Sequence, residues 1–158
     1  FALDWEAARN VPWGVLLLFG GGLALAGGFK GTGLAEWIGS GVSGFDVSTW
    51  ALVFIVTVAI VYLTEITSNT ASTATFLPIL GAVAVGLGLD PRMLAIPVAL
   101  GASMAFMMPV ATPPNAIVFS YEDMHLGDMV RAGFWLNIVA ILVSFAAMYF
   151  LAPIVFGL

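Results

Sequence analysis

The chain has 158 residues, of which 61% are hydrophobic and 8% charged, with a mean hydropathy of +1.10. A water-soluble domain carries roughly a quarter charged residues, so this chain cannot cover its surface with polar groups, and lipid must cover it instead. The formal charge of −5 rests on few ions: the four basic residues (Arg9, Lys30, Arg92, Arg131) are too scattered for a nucleic-acid surface, and the absence of cysteine excludes disulfides and thiolate-bound metals.

No stretch alternates with the dyad period of a membrane strand, so the expected elements are helices and the expected class is an all-α integral membrane protein. Residues 1–46 read as a lead segment, a first span and an interfacial helix. The lead, FALDWEAARN, has no initial Met and no signal-peptide pattern, which reads as a piece of a longer protein. The span VPWGVLLLFGGGLALAGGF (11–29) has Pro12 at a permissive early helical position, and its glycines let another backbone come close. Leu34, Trp37 and Ile38 place a short helix at the interface. Residues 47–89 hold two apolar runs, TWALVFIVTVAIVYL and FLPILGAVAVGLGL, on either side of the polar TEITSNTASTATF (64–76). DPRM (90–93) is a polar turn. Beyond it, 94–126 is one apolar tract broken by ATPPN, so that 90–126 reads as a discontinuous helix broken at 111–115, and 127–158 form a final transmembrane helix without such a break.

The two breaks are the informative part. An external loop usually contains Gly, Pro, Asp or Lys, and TSNTAST has none. Its hydroxyls and amide suit helix-end backbone groups, as at caps. Non-helical backbone at membrane depth is tolerated only inside protein or against a wet cavity. A re-entrant hairpin with its tip at Ser68-Asn69-Thr70 meets both conditions. In the second break, Pro113 and Pro114 lack backbone donors and Pro113 disfavours helical geometry at Thr112. Carbonyls near 109–111 thereby lose partners, and a new helix starting near Pro114 or Asn115 exposes N–H groups.

Interrupted helices near the midplane are how transporters commonly build binding sites. Oxygen ligands for Na⁺ are available from the Thr64 and Thr67 hydroxyls, the Asn69 amide and the Ala111 carbonyl. Donors for a carboxylate are available from Asn69, Thr70, Thr112 and the N–H groups of the hairpin tip. No Arg or Lys lies in either break, so an anion there would be held by dipoles and a co-bound cation. Plainer readings exist for the same residues: hydroxyls gluing helices together and prolines marking a kink. Glu65 is a rare intramembrane acid and is left outside the set of contacting residues. His125, beside Glu122 and Asp123, reads as interfacial loop chemistry, the five Trp as interface anchors, and most Met as packing. An intramembrane enzyme would need a nucleophile–base pair or a metal set, and the chain has one His and no His-Glu-x-x-His; no enzyme is expected.

TSNTAST (67–73), ATPPNA (111–116) and the flanking pattern from VPWGVLLLFGGGLALA to the closing helix resemble the divalent-anion/sodium symporters, the INDY-like di- and tricarboxylate transporters. The chain is similar to the C-terminal half of such a protein. The resemblance implies one half of an inverted-repeat transporter, with a re-entrant helical hairpin and a discontinuous transmembrane helix, working by an elevator-like motion as a homodimer. It implies substrate contacts from Ser68, Asn69, Thr70, Thr112 and Pro113. A sodium site is implied at Thr64, Asn69 and backbone near Thr67 and Ala111, with Asn69 serving both ligands. The N-terminal half, holding the other Ser-Asn-Thr and the other sodium site, is the missing partner. The implied function is sodium-coupled transport of C4-dicarboxylates such as succinate, in a bacterial inner (plasma) membrane. The alternatives are a permease of related architecture for citrate, sulfate or another anion, and a membrane packing subunit without a ligand. Charge does not settle orientation, because two basic residues fall on each side; by family analogy the hairpin opening and the C-terminus lie outside the cytoplasm.

Overall fold

The computed structural model describes residues 5, 9, 13–43 and 48–157. Among them are seven helices and no strand: α1 (Trp13–Gly31), α2 (Leu34–Ser43), α3 (Thr49–Thr64), α4 (Asn69–Gly86), α5 (Arg92–Ala102), α6 (Pro113–Phe119) and α7 (Leu126–Phe156). The lead segment and Pro12 lie outside the described residues, apart from Trp5 and Arg9. Of the described helices, α4 and α7 are long and apolar enough to cross a membrane, while α3 and α5 are apolar but shorter.

Local chemistry sets the helix ends. Ser48 caps α3 by accepting a 3.2 Å bond from the Ala51 N–H, which satisfies one of the four donors a helix start leaves orphaned. Gly88, at φ 72°, closes α4: the Leu89 N–H reaches the Ala84 carbonyl and the Gly88 N–H reaches Val85. This left-handed closing turn needs a residue without Cβ. Asp90 then accepts from the Arg92 backbone N–H at 2.8 Å, and from its guanidinium at 2.9 and 2.7 Å. That bonding from Arg92 pulls the Asp90 carboxyl down to about 2. A depressed folded-state value adds stability above the ordinary carboxylate range that is lost as pH falls towards about 2. Carboxyl NMR titration is therefore expected to find Asp90 still ionised at pH 3 (in the turn outside the spans), and Arg92→Ala to return it to the ordinary range.

The helices do not stack in chain order. α5 packs extensively on both α3 and α4, whereas α3 and α4 touch each other little. The two arms on either side of the polar stretch thus have a third helix inserted between them. Leu94, Val98 and Ala102 of α5 are fully buried there with Val53 of α3 and Ala84 of α4. On its far side α4 packs against α1 and α2, and α7 closes over α3 and α5. Trp50 and Phe54 meet the Phe145 ring edge-on, with centroids 6.4 and 5.4 Å away. Trp50 is therefore part of the α3–α7 contact, while Trp37 and Trp135 are exposed.

One helix contact follows from a proline. Pro78 lies inside α4 and has no N–H for the Ala74 carbonyl one turn back. A Cβ on Gly22 of α1 would fall on that carbonyl oxygen. The glycine lets α1 lie directly on the turn that the proline disturbs.

Two boundaries differ from the sequence reading. The turn between α3 and α4 is Glu65–Ser68, so Asn69 and Thr70 open α4 and do not form a loop tip. The second interruption covers residues 103–112, starting well before the expected 111–115. Its physical cause lies in the site.

A candidate ion and anion site between two helix interruptions

The first interruption converges on Thr64. This last residue of α3 is fully buried, and its hydroxyl lies 2.6 Å from Asn69 Oδ1 and 3.3 Å from the Ala102 carbonyl. Ala102 is the C-terminal residue of α5, so its carbonyl carries the negative end of that helix. Three oxygens from three helices thus gather round one buried point. Hard cations with oxygen preference are the ligands such a set suits. Thr67 points elsewhere: its hydroxyl donates to the Leu63 carbonyl at 2.9 Å and pairs with Ser72 Oγ at 2.6 Å. Ser68 is the N-cap of α4 but makes no side-chain cap bond, so it does not occupy the first-turn N–H groups. Thr70 is exposed beside it.

At the second interruption Thr112 is extended (φ −144°, ψ 152°), as a residue before proline should be, and it caps α6 by accepting from the Asn115 N–H at 3.2 Å. Pro113 is exposed at the first helical position, and Ala111 is buried. Asn115 ties the segment internally, donating through Nδ2 to the Ala105 carbonyl at 2.9 Å and the Met108 carbonyl at 3.0 Å. The Ala111 N–H also reaches Met108, at 3.2 Å.

The two interruptions meet, though not through the residues expected to join them. Among the described residues no hydrogen bond links Asn69 or Thr70 to Ala111, Thr112 or Pro113. The link is Glu65. Its carboxylate is 3% exposed. It accepts from the backbone N–H groups of Phe106 (2.7 Å), Met107 (3.0 Å to each oxygen) and Met108 (3.0 Å), and from Asn137 Nδ2 of α7 (2.7 Å). Those three amides find their acceptor in Glu65 and not in a helical turn. The non-helical stretch begins after Ala102, ahead of Pro113, and also contains Pro109, which has no N–H to continue a helix. α7 admits the loop through Gly133: a Cβ there would fall on the Phe106 carbonyl and 2.6 Å from Met107 Cα.

Sequence reasoning missed Ala102, Asn137 and the role of Glu65. A buried-type acid in TEITSNT and an amide in the apolar FWLNIVAIL were visible signals, whereas a backbone carbonyl at a helix end carries none.

A family model described as the sodium:sulfate symporter transmembrane region matches residues 2–157. The chain belongs to that family. Within it, the chain is 46% identical over 157 residues to the sodium-dependent dicarboxylate transporter SdcS of Staphylococcus saprophyticus. It is 43% identical over the same length to SdcS proteins of Staphylococcus aureus. These alignments cover 99% of the chain but 30% of each relative, less than the half that the sequence resemblance implied. The family model describes a transmembrane region, so the chain is part of a membrane protein, and both its polar interruptions fall inside the matched region.

Proposed function

We propose that the intact protein containing this chain is a sodium-coupled secondary transporter of C4-dicarboxylates such as succinate. The observation carrying the proposal is the oxygen cluster of Thr64, Asn69 and Ala102, held beside a second interruption by Glu65. The relatives' naming as sodium-dependent dicarboxylate transporters supports the choice of ion and substrate class.

In this reading α3 and α4 are the arms of a re-entrant hairpin within residues 47–89. Residues 90–126 are the discontinuous helix, and 127–158 the closing span. Thr64 and Asn69 coordinate sodium together with carbonyls from the neighbouring interruption, Ala102 and Ala111, and with backbone near Thr67. The substrate carboxylate meets Ser68, Asn69 and Thr70 at the start of α4, with Thr112 and Pro113 bordering it. No basic side chain is in the set, so the bound cation supplies the positive charge. Each ligand then raises the other's affinity by the same factor. A second, inverted half elsewhere in the protein completes the site, and two copies work as an elevator-type homodimer in the bacterial inner membrane. The role is transport, with no catalytic step.

The family description names sulfate, which favours one second reading: a sodium-coupled permease for an inorganic anion. Uptake of radiolabelled succinate into proteoliposomes of the full-length protein separates the two. An inward sodium gradient is expected to drive uptake that choline does not support, and unlabelled dicarboxylates are expected to compete better than sulfate or citrate. Uptake indifferent to sodium would sink both readings.

A further inference from the structure

We infer that Glu65 is a positioning residue that sets the register between the two interruptions, and through it the sodium site. The inference rests on the functional reading above for its sodium readout, and on geometry alone for the rest.

Glu65 follows Thr64 directly in the chain, so its backbone is fixed to the residue whose hydroxyl meets Asn69 Oδ1. Its carboxylate grips the opposite interruption at Phe106, Met107 and Met108. Met108 is the relay: with its N–H held by Glu65, it offers its carbonyl to the Ala111 N–H and to Asn115 Nδ2. A continuous bonded path therefore runs from the Thr64–Asn69 pair to Ala111 and the start of α6. The carboxylate is suited to this because it only accepts, and all its partners are N–H donors. A glutamine of the same shape would turn an NH₂ towards at least one backbone N–H. Asn137 anchors the assembly to α7: it is fully buried, Nδ2 donates to Glu65, and among the described residues Oδ1 has no partner, so the Glu65 bond orients the amide. Outer partners of this kind, which orient ligands without touching the ion, commonly change ion affinity by about ten- to a hundredfold when lost.

The test compares Glu65→Gln and Glu65→Asp in the full-length protein, with two readouts. Amide hydrogen exchange is measured without sodium or substrate. Faster exchange at Phe106–Met108 is expected in Glu65→Gln, with partial recovery in Glu65→Asp, which keeps an acceptor-only group. The sodium concentration for half-maximal uptake is expected to rise about tenfold or more in Glu65→Gln, and less in Glu65→Asp. Lower abundance or thermal stability with unchanged half-saturating sodium would mean a merely structural acid and overturn the proposal. So would unchanged exchange at 106–108. Should Glu65→Gln fail to reach the membrane, Glu65→Asp is read alone against the same two criteria. Uptake by the unaltered protein tests the functional reading separately, because the exchange measurement needs no ligand.

Discussion

Gly133→Ala in the intact protein is expected to lower stability by about 1–3 kcal/mol and to raise the sodium concentration needed for half-maximal uptake. On an open helix face the same exchange stabilises by up to about 1 kcal/mol, because alanine is the better helix former. Here the sign reverses. The added methyl would fall on the Phe106 carbonyl and 2.6 Å from Met107 Cα. Those are backbone atoms of the very segment whose amides Glu65 holds, so no flexible side chain is available to move aside. Either α7 withdraws or residues 106–108 shift, and both loosen the Glu65 and Asn137 bonds. Gly127→Ala is the matched control in the same helix, where an added Cβ meets nothing within 4 Å. Thermal unfolding in detergent and sodium titration of uptake would check both variants. Equal behaviour of the two would remove the close approach as a functional constraint.

The second large effect is expected at Asn69. Asn69→Ala should weaken sodium and substrate together, by about tenfold or more each, since linkage makes the coupling between them reciprocal. Stability should change little. Residue 69 is the first of α4, where alanine is tolerated, and the buried Thr64 hydroxyl keeps the Ala102 carbonyl at 3.3 Å as an acceptor. The loss should thus be about that of one hydrogen bond, roughly 1 kcal/mol. Leu77→Ala provides the contrast: a half-buried side chain packed against the core, its loss should reduce stability and leave both half-saturating concentrations in place. A variant at Asn69 that altered only one ligand's affinity would contradict a shared group.

The helices were legible in the sequence because long apolar runs leave few alternatives, and the polar DPRM turn marks where α5 begins. The existence of two interruptions was legible too, from hydroxyls in one and prolines in the other. Their extent was not. The stretch SMAFMMPV has no residue before Pro109 that would end a helix; its amides at 106–108 are held by Glu65, 41 to 43 positions earlier in the chain. Long-range capping of backbone amides by a single carboxylate leaves no periodicity to read. Residue type singles out Thr64 and Asn69, and their side chains hydrogen-bond to each other. Thr67 was assigned on the same grounds, but its hydroxyl turns to Leu63 and Ser72, because residue type does not fix rotamer. Ala102 was invisible, since its contribution comes from where α5 stops.

With α5 lodged between α3 and α4, these arms cannot part like tweezers. Prising them open would expose Leu94 and Val98, both without any accessible surface, and strip the Ala102 oxygen from Thr64 in the same stroke. In the transport reading proposed above, the three helices would therefore travel as one packed block.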